Sequence, residues 1–176
     1  MERVLETFWK RDTIKGEIIA PYTLYLLIGA HVVIFGVIIG EWTLWDNRIH
    51  SWVPIYFGIA VVSGAAMCRN WSIHALGQYH SIHIEIRNRQ KLITSGPYRF
   101  TRNPYYLSNA IEVLGLPLIA DARLAFVFSL FLYFPALLLR MTLEEKALRG
   151  KFGSLFEDYT RRVPRTLPKF WLEESR

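Results

Sequence analysis

IIAPYTLYLLIGAHVVIFGVIIG, residues 18–40, runs for 23 positions without an Asp, Glu, Lys or Arg. At about 1.5 Å of helical rise per residue it is long enough to cross a hydrocarbon core of roughly 30 Å. Three more apolar runs follow. Residues 51–68 carry no charge, residues 105–120 carry only Glu112, and residues 124–139 again carry none. The last two runs are separated by Asp121-Ala122-Arg123, which predicts a tight helical hairpin. Together the runs predict an all-α integral membrane protein with about four transmembrane helices.

Composition agrees. The chain has 176 residues, of which 52% are hydrophobic, 15% aromatic and 20% charged, which excludes a disordered chain. Its one cysteine, Cys68, excludes an intrachain disulfide framework and any multi-cysteine metal site. The formal charge of +6 could suit nucleic acid, but a mean hydropathy of +0.18 points to lipid instead. The placement of the basic residues decides between them. Lys and Arg number four before residue 18, one in 41–50, six in 69–104, one in the hairpin and nine from Arg140 onwards. Alternate compartments thus receive 19 and 2, which predicts a multi-pass protein with both termini cytoplasmic and no nucleic-acid partner. Trp42, Trp45 and Trp52 bracket the sparsely charged side as an interfacial aromatic belt would. The mixed charge of the first 17 residues and the length of the run after them do not read as a cleavable signal peptide. One membrane domain, 1–176, is expected, with two spans in 1–68 and the chemistry in 69–176.

Two basic segments invite chemistry. In 81–87 polar and apolar residues alternate, predicting a strand or extended stretch, and Arg87-Asn88-Arg89-Gln90 could turn the chain. GPYRFTRNPYYL, residues 96–107, then combines a Gly-Pro turn with Asn103 as a helix N-cap and Pro104 in the first helical turn. Arg99 and Arg102 at such a helix start suit either a bound anion or snorkelling beside the membrane. Beyond the last run the helix should continue to about Gly150, placing Arg140 and Glu144 on one face, four residues apart. They read equally as an intrahelical pair or as groups at the membrane surface awaiting a ligand. An amphipathic helix and a proline-pinned tail, RRVPRTLP at 161–168, follow. Glu112, ionisable within a span, is a candidate functional residue by its position.

These motifs taken together resemble the isoprenylcysteine carboxyl methyltransferase family, whose signature is Gly-x-Tyr, then Arg-His-Pro-x-Tyr, then a distant Glu-Glu pair. The resemblance covers roughly residues 69–169. It implies a membrane-embedded enzyme that uses S-adenosylmethionine in a cytoplasm-facing C-terminal pocket without a Rossmann domain. By that similarity Gln90, Lys91, Leu92 and Ile93 line the cofactor, Tyr98 packs against it, and Asn103, Pro104 and Tyr106 hold the His, Pro and Tyr positions of the signature. Glu144 would contact the cofactor's cationic amino group, with Glu145 in support. Arg140 matches a position associated with the acceptor and could grip a carboxylate in a bidentate contact. Asn103 replaces the family histidine and cannot titrate near neutral pH, which makes His83 a candidate base.

The acceptor implied is a lipophilic small molecule or a lipidated substrate among membrane lipids, with Glu112 placed to sense its head. An isoprenylcysteine-like carboxylate or another lipid O-acceptor is expected. A phospholipid N-methyltransferase, an NADPH-dependent sterol-type reductase and a non-catalytic membrane protein are the alternatives. His80 and His83 are spaced i,i+3, yet no metal site is expected, since catalytic zinc usually has three protein ligands. Gly36 and Gly40 form a GxxxG that could pair helices in a homodimer.

Overall fold

The computed structural model describes residues 17–44, 52–86 and 90–166. Trp45, the Arg87-Asn88-Arg89 turn, the basic residues before Glu17, and Leu167 and Pro168 of the tail lie outside the described residues.

The first apolar run divides at Pro21. Glu17–Ile19 is a strand, β1, and the helix α1 spans Tyr22–Leu44 rather than starting at residue 18. Ala20 takes a positive φ of 50°, which ends the strand, and its carbonyl then accepts the backbone N–H of Thr23 at 3.1 Å and the Thr23 hydroxyl at 2.8 Å. α2 spans Trp52–Leu76, two turns beyond the predicted run, and continues into a 3₁₀ turn at Gly77–Tyr79. The alternating segment yields only a short strand, β2, Ile84–Ile86. It pairs antiparallel with β1 in the register Glu17↔Ile86, Ile18↔Glu85, Ile19↔Ile84. Apart from this two-stranded ribbon the regular structure of the described residues is helical, as expected.

α3 spans Pro104–Ile119, with Pro104 at its start as predicted. Its 16 residues rise about 24 Å, less than a full hydrocarbon core. Among the described residues three helical stretches are long and apolar enough to cross a membrane: Tyr22–Leu44, Trp52–Tyr79 and Arg123–Phe152. The hairpin forms as predicted, with Asp121 at φ 50°. α4, Arg123–Phe152, follows it and contains a π-helical turn at Ser129–Tyr133. It ends at Gly153, φ 51°, not at Gly150, and α5 covers Ser154–Arg162.

α2 and α3 touch through glycine. A Cβ on Gly58 would lie 2.9 Å from Ile119 Cγ1 and 3.0 Å from Ile119 N, and one on Gly115 would lie 2.5 Å from Val62 Cγ2. A side chain at either position would push the helices apart. The core is formed by Leu27, Ala30 and Ile34 of α1, Tyr106, Ala110 and Val113 of α3, and Ala125, Tyr133, Leu137 and Met141 of α4. Large apolar side chains such as Val32, Val53 and Phe131 face outwards, as they would towards lipid. Among the described residues nothing lies within 4 Å of a Cβ built on Gly36 or Gly40, so no described part of the chain covers the GxxxG face.

α1 holds α4 at two points. The buried Glu41 accepts the backbone N–H groups of Leu124 at 3.1 Å and Ala125 at 2.9 Å, closing the α4 N-terminus as a carboxylate cap. Beside it Trp42 Nε1 donates to the Ala120 carbonyl at 2.7 Å. The second point is Thr23, whose hydroxyl accepts a hydrogen bond from Arg140 at 2.9 Å.

Candidate active site

The site lies where α3 begins and α4 ends. The Gly96–Arg99 3₁₀ turn brings Tyr98 to it. That turn needs glycine, because Gly96 has φ 61° and a Cβ there would lie 3.3 Å from Ala75 Cβ. Pro104 then starts α3 and sets Tyr106 one turn in. α5 packs Phe156, Tyr159 and Val163 against Leu92, Leu148 and Phe152, which seats the 90–93 segment. Tyr159 Oη donates to the Tyr98 carbonyl at 2.6 Å. Burial pushes the Tyr98 phenol well above its ordinary value, and the Glu144 charge pushes it further. Burial also raises Tyr159, against the lowering effect of Arg102. Both phenols are therefore neutral at physiological pH.

Glu144 and Glu145 are adjacent on α4 and so point about 100° apart. Glu144 Oε2 accepts a hydrogen bond from the Tyr106 hydroxyl. The same hydroxyl oxygen accepts Arg140 Nε at 3.1 Å, so a phenol stands between Arg140 and Glu144. The Arg140 guanidinium also donates Nη1 to Thr23 and Nη2 to the Ile82 carbonyl. It is 4% exposed, and each of its three nitrogens donates to a protein oxygen.

Glu145 serves a different network. Asn103 Nδ2 donates to its Oε1 at 2.8 Å and also to the Arg165 carbonyl at 3.1 Å. Arg102 Nε pairs with Glu145 Oε1 at 3.3 Å, while its Nη1 donates to the Thr160 carbonyl at 3.1 Å. Arg165 Nε lies 3.6 Å from Glu145 Oε2, and the Arg102 backbone N–H donates to the Pro164 carbonyl at 2.9 Å. The tail after α5 is thereby tied to the start of α3.

Nine of the ten residues expected around a cofactor line one pocket: Gln90, Lys91, Leu92, Ile93, Tyr98, Asn103, Tyr106, Glu144 and Glu145. His83 lines it too, and Pro104 does not. Arg140 stands behind the wall, one hydrogen bond from Tyr106. Glu112 is elsewhere, in an ion pair of 3.0 Å with Arg69 that joins α3 to α2. Two local expectations change. Asn103 occupies the N-cap position but its side chain makes no capping bond, because Glu145 and Arg165 take its amide. Arg102 is not available to a free anion, being held by Glu145 and backbone carbonyls, and Arg99 stacks over the Phe100 ring with 4.4 Å to its centre.

Sequence reasoning missed Thr23 and Glu41 as members of this architecture. Tyr159 and Arg165 lay in the stretches that carry the resemblance, and Phe156 on the amphipathic helix before them, but none of the three was assigned a partner. The His80 ring lies edge-on to Tyr105, centres 5.2 Å apart. Among the described residues no group of three or more His, Cys, Asp or Glu could hold a metal ion. The pocket combines three carboxylates (Glu85, Glu144 and Glu145), phenol rings and aliphatic walls, a set suited to a molecule with a cationic end and a flat or apolar body.

The isoprenylcysteine carboxyl methyltransferase family model matches residues 57–150. A probable protein-S-isoprenylcysteine O-methyltransferase of rice (Oryza sativa) is 30% identical over 73% of this chain and 68% of the rice protein. The cobalt-zinc-cadmium resistance protein CzcN of Cupriavidus metallidurans is 28% identical over 98% of this chain and 71% of that protein. Among solved structures, the eukaryotic intramembrane Ras methyltransferase ICMT superposes with a TM-score of 0.62 at 21% identity. That match covers 85% of this chain and 53% of the other, so the chain spans about half the length of that enzyme.

Proposed function

This chain belongs to the isoprenylcysteine carboxyl methyltransferase family and is an integral-membrane methyltransferase, and from that premise we propose that it binds S-adenosylmethionine in the α3–α4 pocket and methylates an oxygen of a lipophilic acceptor. The observation that carries the reading is the convergence on one cavity of nine residues drawn from the 90–93 segment, the Gly96–Arg99 turn, α3 and α4. The donor set fits the cofactor. Glu144 and Glu145 suit its cationic end, Leu92 and Ile93 offer apolar surface to its ring system, and Tyr98 packs beside it. S-adenosylmethionine, when bound, supplies an electrophilic methyl group on a sulfonium sulfur.

The chain's own work is then alignment and exclusion of water. Glu144 presents its carboxyl group to the pocket while the Tyr106 hydroxyl steadies it. A carboxylate acceptor arrives ionised and needs no base, whereas a hydroxyl acceptor would give its proton to His83, one of the two imidazoles in the lining with His80. Asn103 fixes Glu145 without titrating. Arg140, with its nitrogens committed to Tyr106, Thr23 and Ile82, acts by holding that wall rather than by gripping the acceptor. Glu112, paired with Arg69, stays outside the transfer. The acceptor enters sideways from lipid, and its head has the chemistry of an isoprenylcysteine carboxylate or another lipid oxygen. The 19-to-2 division of Lys and Arg supports a pocket and termini on the cytoplasmic side.

Calorimetry of S-adenosylmethionine with the detergent-solubilised chain tests the reading. Saturable binding, weakened about a hundredfold by Glu144→Ala, is expected for loss of a charge-assisted contact. A folded, monodisperse sample that binds nothing overturns it. Transfer of labelled methyl into lipid extracts would then identify the acceptor.

A further inference from the structure

We propose that Thr23, at the start of α1 and outside the family-matched residues 57–150, is a positioning residue for the methyl-donor pocket, acting through Arg140 and Tyr106 on Glu144. The inference rests on the function proposed above and adds to it a part of the chain not connected there with chemistry. Thr23 is 1% exposed although it carries a hydroxyl. Its own hydrogen is spent on the Ala20 carbonyl at 2.8 Å, which leaves its oxygen to accept Arg140 Nη1 at 2.9 Å.

From there the direction of every bond is forced. Arginine can only donate, so the Tyr106 oxygen must accept Arg140 Nε, and the Tyr106 hydrogen is left for Glu144. The chain of donors therefore runs one way, from the guanidinium through the phenol to the carboxylate that lines the pocket. Without the Thr23 oxygen, the buried Nη1 would lose a partner and the guanidinium would turn to find another. The Tyr106 hydroxyl would then lose its fixed acceptor role, and Glu144 its fixed donor. Position 23 also sits three residues from a positive-φ alanine and next to the β1–β2 ribbon, which sets Ile82 against the same guanidinium. The Ile82 carbonyl and the threonine together fix the two terminal nitrogens of Arg140, Nη2 and Nη1.

The test uses the full chain in detergent, with S-adenosylmethionine as titrant. Thr23→Val, which keeps the shape and removes the acceptor, should weaken binding about tenfold, and Thr23→Ser should restore it to within about twofold. Tyr106→Phe cuts the same chain further along and should cost about tenfold or more by itself. In that background Thr23→Val should add less than about twofold, because the two substitutions interrupt one path. Effects that multiply in full, a Thr23→Val protein that binds like the parent, or no rescue by Ser would each overturn the proposal. If Thr23→Val does not yield monodisperse protein, Thr23→Ala is judged by the same thresholds. A parent chain that fails to bind S-adenosylmethionine defeats the underlying reading and this inference with it. Failure confined to the Thr23 variants defeats the inference alone.

Discussion

The seam between α2 and α3 and the wall of the pocket between α3 and α4 each set a carboxylate against a guanidinium, and they do so in opposite ways. In the seam Arg69 meets Glu112 directly at 3.0 Å, across two helices already drawn together by Gly58 and Gly115. The pair closes on itself. In the pocket the Tyr106 hydroxyl is interposed between Arg140 and Glu144, and the carboxylate lines an open cavity. An acid within a span is therefore no guide to chemistry until its counter-charge is known. A direct partner neutralises it as a fastener, and an indirect one leaves it available.

The sharpest way to break this contrast is to neutralise both acids. Glu144→Gln should weaken S-adenosylmethionine binding about a hundredfold, in line with a lost charged hydrogen bond. Next in size is Gly58→Val, where the new side chain meets Ile119 and should destabilise the protein by about 2 kcal/mol by overpacking. Thermal unfolding reads that loss, and binding by the folded fraction should stay within about twofold, since the seam is not the pocket. Asn103→Ala frees Glu145 and the Arg165 carbonyl from one amide. It should cost about 1 kcal/mol, seen as a roughly fivefold weaker calorimetric affinity. Glu112→Gln should shift stability by less than about 1 kcal/mol, because Arg69 is partly exposed, and should leave binding unchanged. Equal losses of affinity at Glu112 and Glu144 would erase the distinction. Smallest of all is Gly36→Leu on the open face of α1, expected within about 0.5 kcal/mol of the parent. A larger change, accompanied by a change in oligomeric state in light scattering, would mean that a second copy covers that face.

What could be read from the sequence was what is local. Gly96-Pro97 had to turn, Pro104 had to start a helix, and three residues between apolar runs had to form a hairpin. The spacing of the motif residues carried the pocket lining because the family resemblance brought with it the long-range arrangement. Side-chain destinations were not legible. Asn103 looked like a cap, and nothing near it in sequence announced that Glu145, 42 residues on, would take its amide. Arg102 looked available because its partners lie in α4, in the last turn of α5 and just after it. Glu41 read as the first residue of a loop, since only the folded hairpin brings the α4 N-terminus to it. Residue 18 read as helix because hydropathy does not register that Ala20 and Pro21 redirect the chain into a ribbon.

The two holds of α1 on α4 make the pair a measuring rod. Glu41 and Thr23 are 18 residues apart on α1, about 27 Å, while Ala125 and Arg140 are 15 apart on antiparallel α4, about 23 Å. Inserting or deleting one residue between the holds in either helix alone would turn one hold by about 100° and miss its partner. Across evolution the lengths of these two segments should drift together: a relative that gains a residue in one should show a compensating gain, or an altered π-helical turn, in the other.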